Sequence, residues 1–349
     1  MPLSSYRYDF QPYTGPSSRT TCPACGTSRS FSRYVDTHTG ELLPDRFGRC
    51  DRLVKCGYFC HPYCSLSQQG GIDGLRTQRH HNSGVSSKRP SVVLPPPQRL
   101  LTLPQEVYQA SLRHYECNQL ARLLRDHFGT TTAAELYTRF RLGTSAHWPG
   151  ACVFWLLDTQ GRVMGGQVVL YDETGRTVKQ PHRHTTWPHI ALARAYRQRG
   201  EAQPAWLTEY AAYGQKSPCL FGLPQLAAEA ADKPIALVES AKTAIVATPY
   251  LPEFIWLATM GLSYLTAERL APLRGRRITL FPDAGALEQW QRKAASLRDQ
   301  GFNIVVADII EQLASPDERK AGLDLADVLL AGRYRRPDLI GPSVQVPAG

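Results

Sequence analysis

Four thiols carry the first chemistry in this chain. Cys22-Pro-Ala-Cys25-Gly presents two sulfurs on one short turn, and Cys50 and Cys56 supply two more, so the set suits tetrahedral Zn²⁺. Cys60, His61 and Cys64 stand close enough to replace one member, which leaves the fourth ligand open. The second constellation is acidic: Glu239 and Asp283 each follow an apolar run, and Asp324 and Asp327, three apart, share one face of a helix beginning. Sparse carboxylates completed by water and phosphate oxygens suit Mg²⁺ or Mn²⁺. Lys242, just after the first of these acids, is placed to reach a phosphate. Arg162, Lys179 and Arg183 could track a nucleic-acid backbone, with Trp187 and His184 stacking on bases. The plain alternatives are strand-end acids that only cap helices, and a basic stretch that is only a solvated loop.

These residues need frames. Glu239 ends Ile235-Ala-Leu-Val, a helix runs from about Lys242, and 254–259, 276–283 and 303–308 read as further strands, with helices at 266–273 and 287–300 between them. Strands alternating with helices imply parallel pairing, hence a doubly wound α/β sheet whose ligand edge lies beyond the strand C-termini. Upstream, 151–157 and 162–171 read as strands around the turn 158–161, after a helical pattern of Leu112, Tyr115, Leu120, Leu123, Leu124 and Phe128 that stops at Gly129. This predicts an α+β subdomain. Between the cysteine pairs, 31–36 reads as a strand, 37–40 as a turn and 41–43 as the returning strand, a zinc-ribbon layout. Domains are therefore expected at 1–64 (ribbon), 65–104 (Ser, Gly, Gln and Pro-rich linker), 105–233 (α+β), 234–335 (α/β) and 336–349 (tail).

Composition narrows the class. The chain has 349 residues, more than one core usually holds, and a formal charge of +10. Residues 1–104 hold 13 Lys and Arg against 6 Asp and Glu, so most of the excess lies on or beside the ribbon. An anionic polymer is the natural partner. No apolar run is long enough for a bilayer, and the first twenty residues have no signal-like core, which predicts a cytoplasmic protein without a membrane partner. Nine cysteines in a reducing compartment read as ligands or packing residues, with Cys117, Cys152 and Cys219 in the packing role.

The stretches Val238-Glu-Ser-Ala-Lys-Thr-Ala244, Leu280-Phe-Pro-Asp-Ala-Gly-Ala286 and Gly322-Leu-Asp-Leu-Ala-Asp-Val-Leu329 together resemble the Toprim domain of bacterial primases and of type IA and II topoisomerases. Phe154 to Gly166 is similar to the segment preceding Toprim in replicative primases, and the order ribbon, linker, core, Toprim is the primase order. Arg33 to Glu41 and Cys56-Gly-Tyr58 are similar to primase-like proteins of bacterial conjugative and mobile elements.

That resemblance implies metal-dependent nucleotidyl transfer on a single-stranded DNA template. Glu239 would be the general base or metal organiser, Asp283 would hold Mg²⁺ or Mn²⁺, and Asp324 would be a supporting acid with Asp327 beside it. Nucleotides and single-stranded DNA would be partners, and a replicative helicase is left open. The chain departs from the family at Gly285, where a second aspartate is expected, at Thr243, where an acid is common, and at Gln167, where a basic residue is expected. Each lost anion weakens attraction for a divalent cation. The alternatives are a non-catalytic DNA-binding factor and a Toprim nuclease.

Overall fold

The computed structural model describes residues 7–52, 56, 58–60, 62, 99–215 and 217–333. The chain divides into two compact units, residues 1–95 and 96–349. His61, Cys64, the expected linker up to residue 98 and the tail 336–349 lie outside the described residues.

The first unit is a small antiparallel sheet, β1 (Tyr8–Phe10), β2 (Phe31–Asp36), β3 (Gly48–Cys50) and β4 (Phe59–Cys60), paired in that order. The turn after β2 closes as expected, with the Gly40 N–H donating to the Asp36 carbonyl at 2.7 Å. The returning strand comes later than the sequence suggests. Residues 41–43 make only an isolated bridge, Val35 to Leu42, and the paired return is β3. Pro44 follows at once and starts a second turn, closed by the Phe47 N–H on the Pro44 carbonyl at 2.9 Å. Tyr8, Tyr34, Leu43 and Phe47 form one small core, and Cys22, Phe31 and Cys50 another.

The second unit opens with α1 (Gln105–Ser111), a single 3₁₀ turn at Tyr115–Cys117, α2 (Gln119–Phe128) and α3 (Thr130–Phe140). The helical pattern from Leu112 to Phe128 is thus interrupted rather than continuous. Asn118 is the cause: its side-chain oxygen accepts the Ala121 N–H at 3.1 Å, starting α2 afresh, while its amide donates to the Gly143 carbonyl at 3.0 Å.

An antiparallel sheet follows in the order β5 (Leu142–Ser145), β6 (Ala151–Leu157), β7 (Val163–Val169), β8 (Thr185–Thr186). Every residue of β6 is buried, because Cys152, Phe154 and Leu156 enter one core while Ala151, Val153, Trp155 and Leu157 enter another. That explains an unbroken apolar run where a half-exposed strand would alternate. After α4 (Pro188–Arg199) and α5 (Ala205–Tyr213) comes a second sheet, entirely parallel. Its strands β9 (Ile235–Val238), β10 (Ile255–Ala258), β11 (Arg277–Leu280) and β12 (Asn303–Val306) are ordered β10-β9-β11-β12.

Helices cover both faces of this parallel sheet. Ala236, Val238, Trp256 and Ala258 pack with α6 (Ala241–Tyr250), whereas Ile235, Leu237, Ile255 and Leu257 pack with α7 (Leu287–Arg298). Three short helices end the described chain, α8 (Ile309–Leu313), α9 (Pro316–Ala321) and α10 (Leu325–Leu330). The core beneath α6 and α10 also takes in Leu120, Phe140, Phe154 and Phe221. Residues of both sheets therefore share one apolar interior. Cys152 is buried as expected of a packing residue; Cys117 is exposed and packs no core.

Candidate functional site

In the first unit the Sγ atoms of Cys22, Cys25, Cys50 and Cys56 all lie within 4.8 Å of one another. They are the one such group of three or more His, Cys, Asp or Glu among the described residues. Sequence places Cys22 and Cys25 on one turn, and the β2–β3 pairing Phe31 to Cys50 brings Cys50 beside them. Thr27 assists the site: its hydroxyl and backbone hydrogen-bond to the Cys25 thiol and lower its pKa to about 6. Burial pushes the Cys50 thiol the other way, up to about 12. Four sulfurs at one point, one of them ready to ionise, fit a structural Zn²⁺. Cys60 lies on β4 and does not belong to the cluster.

The second unit holds the acids. Glu239 follows the last residue of β9, and Asp283 lies three residues past β11, the adjacent parallel strand. Both line a cavity of about 300 Å³ with Lys242, Asp324, Asp327, Lys179 and Arg183. Seven residues expected from the sequence thus meet at one sheet edge. A larger groove of about 760 Å³ lies elsewhere, lined by Thr131, Thr132, Arg139, Lys233 and Thr248, with Glu135 its one acid. Volume alone does not mark chemistry, and the smaller, acid-lined cavity is the candidate site.

Five carboxylates line the cavity; Glu318 is taken up by Arg333, and the other four divide into two kinds. Asp324 caps α10, one oxygen accepting the Asp327 N–H at 2.8 Å, and the Asp327 carboxylate returns the contact to the Asp324 N–H at 3.4 Å. Their remaining oxygens face Lys242, whose Nζ is 3.2 Å from Asp324 and 3.3 Å from Asp327. The Thr243 hydroxyl also donates to Asp324, at 3.0 Å. Helix capping and charge pairing therefore coexist at these two acids. Burial alone would draw the lysine's pKa down, but the two carboxylates outweigh it and hold the ammonium above its ordinary range.

Glu239 and Asp283 are different: no described residue donates a hydrogen bond or forms an ion pair to either carboxylate. Burial raises the Glu239 pKa, with Arg183 opposing. Asp283 is pushed up to about 8, first by burial and then by the charges of Asp324 and Glu239, against the pull of Lys242. Two partnerless, half-buried carboxyls coupled through one cavity match the chemistry of a hard divalent cation. Mg²⁺ or Mn²⁺ fits this donor pair, which would hold it.

Facing the acids is a basic wall on the segment between β7 and β8. Val178 and His184 both bond to the backbone of Leu170, which holds the loop against the sheet. Lys179 and Arg183 stand exposed at the cavity mouth. Arg176 and Tyr171 also line it and were missed from sequence. The signal was present, since the turn at Asp172–Gly175 folds Tyr171 back against Thr177, next in the chain to Arg176.

Three expected contacts are not brought to this cavity. Arg162 closes the β6–β7 turn with its guanidinium 2.7 Å from Asp158, and Trp187 precedes α4, half-buried. His184 stacks on His182 and meets Trp148 edge-on, outside the cavity lining.

Gly285 has a structural reason. Its φ of +79° is left-handed, and its N–H donates to Glu311 at 2.7 Å, which in turn pairs with Arg319. An aspartate there would be strained. The extra carboxylate near this turn is Glu311, and it is already engaged.

Residues 6–70 match a zinc beta-ribbon finger family, and residues 118–284 match a domain family of unknown function (DUF6371). Among solved structures the chain is similar to the primase fragment of the bacteriophage T7 primase-helicase protein, with 13% identity over 92% of this chain and 97% of that one and a TM-score of 0.37. It is also similar to the RNA polymerase domain of Mycobacterium tuberculosis primase DnaG, determined with a double-stranded DNA oligomer bearing a 6-nucleotide overhang (14% identity, 66% and 77% covered, TM-score 0.37). The E. coli primase catalytic core is a third similar structure (13% identity, 63% and 70% covered, TM-score 0.31). No curated protein matches the chain. No described helix is long and apolar enough to cross a membrane.

Proposed function

We propose that this protein binds single-stranded DNA and carries out metal-dependent nucleotidyl transfer of the primase type, on a Toprim-like parallel sheet, in the replication or transfer of a mobile element. The observation that carries the reading is the pairing of Glu239 and Asp283, partnerless at the ends of adjacent parallel strands, across one cavity from Arg176, Lys179 and Arg183. Ligands of open parallel sheets sit beyond strand C-termini, and phosphoryl transfer needs what this cavity offers, carboxylates for a divalent ion and cations for phosphates.

When bound, Mg²⁺ or Mn²⁺ would neutralise charge on an incoming triphosphate. The chain's own residues do the rest. Arg176, Lys179 and Arg183 grip phosphates and orient the strand, and Glu239 with Asp283 supplies the carboxylates that would hold the ion beside an attacking hydroxyl. The ribbon, with zinc on its four cysteines, offers a second basic surface for the template.

The experiment combines the full chain, single-stranded DNA, ribonucleotides and Mg²⁺ or Mn²⁺, beside Glu239→Gln. Primer synthesis that disappears in the variant supports the reading. Template binding without synthesis would replace it with a non-catalytic factor, the alternative favoured by Gly285 and by the engagement of Asp324 and Asp327. Strand scission would make the protein a nuclease.

A further inference from the structure

From the distribution of hydrogen bonds around the acid cavity we infer that Lys242 fixes the number of divalent cations at one, its ammonium standing where a second ion would otherwise be held. The inference rests on the proposed reading, since it presupposes a cation at Glu239 and Asp283. Two-ion phosphoryl-transfer sites need both ions within about 4 Å and carboxylates free to reach each. The cavity has five acids, enough in number for two ions, but only Glu239 and Asp283 are free among the described residues, since Glu318 pairs with Arg333 and completes the capping box of α9.

The oxygens of the other pair are all committed. Asp324 gives Oδ1 to the Asp327 N–H and Oδ2 to Lys242 and Thr243; Asp327 gives Oδ1 to Lys242 and Oδ2 to the Asp324 N–H. Binding a cation there would require breaking two ion pairs and expelling an ammonium whose side chain is only 6% exposed. Lys242 cannot step aside easily, because Ser240 caps α6 through the Thr243 N–H at 3.2 Å and pins the lysine in the first turn. An ammonium also repels a divalent neighbour, and that repulsion strengthens with burial.

Thr243 completes the arrangement. An acid at 243 would add a further carboxylate beside the same lysine, whereas the hydroxyl instead donates to Asp324 and holds its Oδ2 toward Nζ. Lys242 is thus a positioning residue for the cavity and the determinant of its metal count.

The test is a count of bound Mn²⁺ by electron paramagnetic resonance on the zinc-loaded full chain. One Mn²⁺ per chain is expected; two would overturn the inference while leaving the proposed function standing, and none would overturn both. Asp327→Asn keeps a cap on α10 and should leave the count at one with affinity within about twofold; a loss beyond tenfold would make Asp327 a ligand and refute the argument. Lys242→Met releases both aspartates, and the count should rise to two, with a larger Mn²⁺-induced rise in Tm than in the parent protein. A count of one in folded Lys242→Met would overturn the inference. Should that variant fail to fold, the parent count and Asp327→Asn still decide it.

Discussion

Replacing Asp283 with Asn should stabilise the metal-free site at alkaline pH and hardly alter it in acid. The folded carboxyl titrates at about 8, while an unfolded aspartate titrates near 3.9. A carboxyl whose folded pKa is raised binds its proton more tightly in the native state. Its contribution to stability is complete below about pH 4 and is lost as pH rises through about 8. Four pKa units at about 1.4 kcal/mol each set a ceiling on the order of 5 kcal/mol at pH 9. Cavity water screens the charge, so a realised gain of about 2–3 kcal/mol is expected. At pH 5 the unfolded aspartate is already ionised while the folded one is not, so about one of the four units is lost and the gain should be about a quarter of its pH 9 value, vanishing only below about pH 4. Urea unfolding followed by tryptophan fluorescence suits the measurement, because Trp256 and Trp290 are fully buried on opposite faces of the parallel sheet. Millimolar Mg²⁺ should recover the lost stability of the parent protein at pH 9 and do nothing for the variant. A gain equal at pH 5 and pH 9 would refute the account of Asp283.

Elemental analysis should find one zinc per chain, and Cys25→Ser should lose it together with the near-ultraviolet signal of Tyr34 and Phe47, since the ribbon core is too small to persist unaided. Lys179→Ala and Arg183→Ala should each weaken single-stranded DNA binding and flatten its log–log salt slope by about 0.7, whereas Arg162→Ala, already paired to Asp158, should leave the slope unchanged. Gly166→Ala should destabilise the second unit by more than about 2 kcal/mol in thermal unfolding, because a Cβ there would stand 2.6 Å from the Phe154 carbonyl oxygen.

The acid edge was legible because β-strand ends are readable: Val238 and Leu280 close apolar runs, and the residues just beyond them must fall on one rim if the strands are parallel. The cysteine site was legible for the same local reason, two sulfurs on one turn and two more, Cys50 and Cys56, six positions apart. What sequence could not give was partnership. Lys242 reads as a phosphate ligand from its place after Glu239, and only the packing of α10 against α6 reveals two aspartates on its ammonium. The helix of residues 112–128 misled because apolar spacing continues through Asn118 while its side chain starts a new helix. The ribbon's return strand was displaced by Pro44, a residue whose effect depends on whether the chain has already paired. Arg162 looked like a free cation because an i,i+4 pair across a turn leaves no periodic trace.

Phe221 stacks on Phe140 at 5.6 Å and meets Phe154 edge-on at 5.7 Å, and its backbone bridges to Ala258. Three aromatic rings thereby rivet the antiparallel half to the parallel half. Severing the polypeptide near Pro234 would leave each fragment with a bare greasy wall, so neither half should be soluble when made by itself, and the two would have to be co-produced to reassemble.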